Sequence, residues 1–253
     1  MKKGVLILTE GRAGTNWLGS LATSTGVLGR SGEWFAQHPY GKKNVRDFTS
    51  DQFINEAIQR SSTDNGFFYI KLFPTHVHWF QIKYGVDIIN YFLNTHDVRL
   101  IRLYRHDRFR QAISFAKALQ TDQWRSDRVA TREPEYDFDQ ICRCFFLIGA
   151  SYAYWESYVM ARELEAAEFV YEDLVPDPTP YIQHIAEHAG IKELPETEAQ
   201  TRVQSDHIND KWLEQFRADV ATRGIVEPSA LSYYSRFSFS NLVRLIKGRP
   251  LKP

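Results

Sequence analysis

The stretch Gly4-Val5-Leu6-Ile7-Leu8-Thr9, followed by Glu10-Gly11-Arg12-Ala13-Gly14-Thr15-Asn16, sets the fold. Six residues that are almost all apolar are the pattern of a strand buried on both faces, as in a parallel sheet. The loop after them carries two glycines and an arginine. Asn16–Thr25 then reads as a helix closed by Gly26. A strand, a glycine-bearing loop and a helix start form an anion site, because the first N–H groups of a helix lack partners and its dipole favours negative charge there. Gly11 and Gly14 permit tight turns. Arg12 adds a planar fork suited to phosphate or sulfate oxygens, and Thr15 and Asn16 can cap the helix.

Outward from this unit, strands and helices alternate. Phe67–Phe73 and Val98–Tyr104 read as strands two and three, and Glu168–Tyr171 as a fourth. Between and after them lie helices near Asp51–Arg60, Thr75–Thr95 with a break at Gly85, Asp107–Trp124, Asp137–Glu165, Pro178–Gly190 and Asp210–Arg223. The expectation is an α/β fold of P-loop type: a doubly wound parallel sheet flanked by helices, with right-handed crossovers, in a single domain. That domain would span residues 1–225, leaving 226–253 as a basic tail packed on it or trailing from it. After Glu227 the tail has no acidic side chain and five basic ones, which suits a solvated terminus or a weak contact with a membrane surface or an anionic substrate.

The chain has 253 residues, with 31 basic and 31 acidic side chains. That balance argues against bulk nucleic-acid binding. No apolar run reaches the roughly 20 residues of a membrane span. Val5–Leu8 is too short for a secretory leader after Met1-Lys2-Lys3. Cys142 and Cys144 cannot build a disulfide framework, so a reducing cytoplasm is expected. His76 and His78 have a spacing that binds metal on a strand. Here they fall where a helix begins, without a nearby carboxylate or cysteine, so they read as structural and no metal is expected.

The loop is not a Walker A motif, since no lysine follows Gly14. A second anion site comes from Arg105 at the carboxyl end of strand three and Ser114 nine residues on. Ligands of open α/β sheets bind at that edge. Read alone, Arg105 could equally pair with Asp107 at the surface, and Ser114 could simply be packed.

Several segments together resemble sulfotransferases that use 3′-phosphoadenosine 5′-phosphosulfate (PAPS). They are Glu10 to Leu18; Gly26-Val27-Leu28-Gly29 with Gly32-Glu33-Trp34-Phe35; Tyr104-Arg105-His106-Asp107 with Gln111-Ala112-Ile113-Ser114-Phe115; Gln120-Thr121-Asp122-Gln123-Trp124-Arg125; and Gln204-Ser205-Asp206 with Asn209-Asp210-Lys211-Trp212. The closest likeness is to the trehalose 2-sulfotransferase group, and nodulation-factor sulfotransferases share the loop and the arginine–serine segment. The resemblance runs from about residue 5 to residue 220.

The resemblance implies that PAPS is the donor and that a carbohydrate or glycolipid hydroxyl is the acceptor. It implies that Arg12, Ala13, Gly14, Thr15, Asn16 and Trp17 hold the 5′-phosphosulfate, and that Arg105 and Ser114 hold the 3′-phosphate. Glu33 becomes the general base, with Lys71 and Arg12 acting on the sulfuryl group. Trp34, Gln120 and Trp124 join Glu33 on the acceptor side. A homodimer is also implied. Three departures stand out: Ala13 where the group has serine, Arg30 where it often has an acid, and Val203 where it has arginine. Ala13 and Val203 keep open a nucleotide-binding module without catalysis, and a P-loop kinase is a remoter alternative against which the missing lysine argues.

Overall fold

The structure is a computed structural model, and it describes residues 1–36, 48–126, 128–195 and 207–225. The four expected strands form one sheet: β1 (Lys3–Leu8), β2 (Phe68–Leu72), β3 (Asp97–Tyr104) and β4 (Ala166–Val170). They lie in the order β2-β1-β3-β4, every neighbouring pair parallel. The first strand therefore sits inside the sheet, which is why its run after Lys3 is buried at every position.

Successive side chains of a strand face opposite ways. Leu6 and Leu8 join Phe35, Phe53, Phe68 and Phe92 on one face. That face is covered by α2 (Ser50–Ser61), α3 (Pro74–Tyr84) and α4 (Ile88–Thr95). Val5 and Ile7 join Leu18, Tyr69, Ile101 and Tyr181 on the other, under α1 (Thr15–Ser24) and α8 (Thr179–Ala189). A third cluster, including Ile113, Ile141 and Phe216, packs α5 (Arg108–Thr121) against α6 (Phe138–Ala161) and α9 (His207–Arg223). The doubly wound α/β fold is thus the one expected. None of the described helices is long and apolar enough to cross a membrane.

Three local expectations need correction. Tyr171, expected to end the fourth strand, instead opens a single helical turn, α7 (Tyr171–Leu174). Helix α6 stops at Ala161 rather than Glu165, because Glu163 turns to a positive φ of 50°. Helix α1 is capped by Gly14, at φ 81°, with no side-chain cap; Asn16 is used elsewhere. Gln204–Asp206, Val203 and the 226–253 tail lie outside the described residues.

Candidate active site

Thr9 fixes where the loop leaves the sheet. Its N–H donates to Leu72 O (3.1 Å) and its hydroxyl to Leu103 O (2.7 Å). Its carbonyl accepts the Trp155 indole N–H at 2.8 Å. One residue is thereby tied to β2, β3 and α6. The loop that follows is pressed against its neighbours. A Cβ on Gly11 would lie 2.6 Å from the Phe115 ring, and one on Gly14 would lie 2.3 Å from Tyr171. Arg12 holds a left-handed φ of 66°, a strained conformation of the sort that collects at ligand sites.

The strain aims a half-buried guanidinium. Arg12 Nε donates to Ser114 Oγ at 2.9 Å and Nη1 to the Trp124 carbonyl at 2.7 Å. Burial, with the charge of Arg105 adding to it, lowers the Arg12 pKa to about 10. Ser114, expected to converge with Arg105, is thus bound to Arg12. Arg105 does not pair with Asp107, which instead caps α5 by accepting Arg110 N–H. Its Nε lies 3.3 Å from Glu172 Oε1, and its guanidinium sits 4.8 Å from the Tyr171 ring centre. Burial opposes ionisation of Glu172. The N–H groups of His106 and Asp107 and the Arg105 charge outweigh it, holding the carboxyl below its usual range. Turn α7 therefore braces Arg105.

Lys71 is 3% exposed, so it does not snorkel to water. Its Nζ donates to Asn16 Oδ1 at 2.8 Å and lies 3.8 Å from Glu33 Oε1. Burial depresses the Lys71 pKa, the Glu33 charge opposes that, and Arg125 reinforces it. Asn16 turns its amide N–H to the Trp124 carbonyl at 3.0 Å. Glu33 reaches this place because Lys71 N–H bonds Gly32 O at 3.4 Å, fastening the segment after α1 to β2. A Cβ at Gly32 would meet the Trp34 indole at 2.4 Å, and that indole donates to Arg30 O.

Arg12, Thr15, Asn16, Glu33 and Trp124 border a cavity of about 500 Å³, whereas Trp34, Lys71, Arg105 and Ser114 are not part of its wall. Phe73 and Phe115 give it an apolar side, and Arg125 and Arg128 a basic one. Ala13 is fully buried and off that wall, so a hydroxyl is missing where the resemblance places one. Trp17 stacks edge-on with Tyr171. The structure does not bring Gln120 to the cavity. Its amide N–H groups go to Glu135 O and Gln140 Oε1, and its oxygen accepts Glu135 N–H, closing the segment between α5 and α6. The helix α6 aromatics are largely packing, although Trp155 and Tyr152 hold the loop and Arg105 N–H from behind. Among the described residues no group of three His, Cys, Asp or Glu is arranged to hold a metal. Glu10 and Glu172 escaped the sequence reading; an acid at the end of an apolar strand was the available signal for both.

Comparison with known proteins identifies the family. Residues 88–219 match the model of the Stf0 sulphotransferase family. That is just over half of the chain, which therefore belongs to this family. The matched stretch contains Arg105, Ser114 and Trp124 but not the loop, Glu33 or Lys71. A curated relative, the trehalose 2-sulfotransferase of Mycolicibacterium smegmatis, is 27% identical over 131 residues, 51% of this chain and 49% of the relative. The chain thus spans about half the length of the curated relative it matches. A solved structure, the sulfotransferase domain of the Synechococcus PCC 7002 olefin synthase, is 13% identical with a TM-score of 0.43, over 97% of this chain and 94% of that one.

Proposed function

We propose that this protein transfers a sulfuryl group from PAPS to a hydroxyl of a carbohydrate or glycolipid acceptor. The observation that carries the reading is the meeting of Arg12, Asn16 and Glu33 at one cavity below a strand–loop–helix anion site, with buried Lys71 held against Asn16 and Glu33 from behind. The tight backing of Gly11 and Gly14 fits a backbone cradle with no room for side chains. Arg12, Thr15, Asn16 and the N–H groups of 13–17 would hold the 5′-phosphosulfate, and Arg105, braced by Glu172, the 3′-phosphate with Ser114. In-line transfer needs position and charge more than covalent help. Lys71 and Arg12 stabilise the charge on the departing and equatorial oxygens. Glu33, half exposed on the acceptor side, accepts the hydroxyl proton. The aromatic wall of Phe73, Phe115 and Trp124 suits a sugar ring, with Trp34 supporting Glu33.

Buried free Cys142 and Cys144 suit a reducing cytoplasm. A homodimer and a weak membrane contact of the basic tail complete the proposal. The test is an assay of labelled PAPS against extracts, with identification of the labelled product. In that assay Glu33→Gln should cut turnover by about 10²-fold or more and leave the affinity for adenosine 3′,5′-bisphosphate unchanged. Full turnover in this variant removes Glu33 as base, and no transfer to any acceptor overturns the reading.

A further inference from the structure

One acidic group in the cavity has no task in sulfuryl transfer. Glu10 ends the run that began as β1 and is 5% exposed, yet it lines the same cavity as Arg12, Thr15 and Glu33. Its Oε1 accepts Gly11 N–H at 2.7 Å and its Oε2 accepts the Ser151 hydroxyl at 2.6 Å. From the loop it faces that N–H, and beyond it Arg12, whose fork is directed to Ser114 and Trp124. From α6 come the Ser151 hydroxyl and the Tyr152 phenol, whose pKa Glu10 helps to raise. From α5 comes the neutral Gln111 amide, bonded to Gly11 O and Tyr152. From the segment after α1 comes a second carboxylate, Glu33. Burial pushes the Glu10 carboxyl above its usual range; the two hydrogen bonds oppose this and Glu33 adds to it.

From the segment after α5 come Asp122, Arg125 and Arg128 on the cavity wall. An anionic nucleotide in this cavity engages those arginines and brings further negative charge beside the buried Glu10 carboxyl, where like charges suppress one another's ionisation. We propose that Glu10 is part of the donor-binding site and carries a proton while the nucleotide is bound. The inference rests on the donor reading above. A proton from solvent adds to one carboxylate oxygen. The resulting O–H can donate toward the anion, while the other oxygen still accepts Gly11 N–H. Binding then takes up a proton. The complex holds more protons than the free protein, so rising pH favours release, by up to tenfold in affinity per pH unit between the two titrations.

Calorimetric titration of the full chain with adenosine 3′,5′-bisphosphate, in buffers of different ionisation heat, counts these protons. The nucleotide's own phosphate, with a pKa of about 6, titrates equally with wild type and Glu10→Gln and cancels in the difference. Wild type should take up as much as one proton more than Glu10→Gln, and its affinity should fall with pH relative to that variant. Ser151→Ala keeps the carboxyl but removes a bond that favours its charge, so its pH window should move upward. Both variants are checked by thermal melting, and wild-type uptake reads without either. Equal proton counts in wild type and Glu10→Gln overturn the proposal, as does an unmoved window in a folded Ser151→Ala. Bisphosphate that fails to bind either protein at any pH overturns the donor reading, and this proposal with it.

Discussion

His76, in the first turn of α3, is buried beside the Lys71 backbone. Its ring is 7% exposed, stacks on Phe73, and accepts Phe73 N–H at Nδ1. Burial, with the Lys71 charge adding to it, pushes its pKa down to about 4, against a hydrogen bond to the Lys71 backbone. A histidine that stays neutral when folded but binds a proton when unfolded is fully stabilising only above pH 6.5. It loses that contribution as pH falls toward about 4, roughly 3 kcal/mol in all. Urea unfolding at pH 7 and near pH 4 should therefore show a smaller loss for His76→Gln than for wild type; equal losses would show that the ring has no such role. Of the candidate site residues, Arg12 and Arg105 stood out at a glycine-bearing loop and a strand end, whereas Glu33 and Lys71 were singled out through the family resemblance. Glu10 and Glu172 were not, because their partners Ser151 and Arg105 are 141 and 67 residues away.

Among the elements, α7 has the largest effect for its size. Four residues, Tyr171–Leu174, supply the ring under Arg105, the ring behind Gly14 and the carboxylate that fixes Arg105. A bond between charged groups is worth about 1.5–3 kcal/mol. Glu172→Gln should therefore weaken adenosine 3′,5′-bisphosphate binding by roughly 10-fold or more, measured by calorimetry, with the melting temperature little changed. Undiminished affinity would mean that Arg105 needs no brace. A single turn has no periodicity to read, so the sequence suggested a loop there. The strands were legible for the opposite reason: β1 and β2 are buried on both faces, and apart from Lys3 and Lys71 their runs are apolar. The last turn of α6 was overextended because Arg162, Glu163 and Leu164 are good helix formers, and only the positive φ at Glu163 ends the helix.

For the molecule as a whole, the proposed ligand joins elements from across the chain. It would touch the loop after β1, the ends of β2 and β3, and α5, so it binds the folded state alone. Bisphosphate at 100 times its dissociation constant should add about 2.7 kcal/mol, raising the melting temperature by roughly 5–10 °C for a chain of this size. Adenosine 5′-monophosphate, lacking the second anion, should raise it less at equal concentration. Identical shifts would deny a two-ended site. The sheet and its order suit this joining, whereas the acceptor was never legible, because the residues opposite Glu33 come from distant segments with no shared pattern.

Arg12 and Arg105 follow β1 and β3, and those strands are immediate neighbours in a parallel ladder. Arg105 directly follows β3, while Arg12 sits in the short loop that Thr9 clasps to Leu103. In the proposed complex the pair would work less as a magnet for negative charge than as a gauge of how far apart a ligand carries its two anions, with the interstrand spacing of about 4.8 Å as the base of that rule.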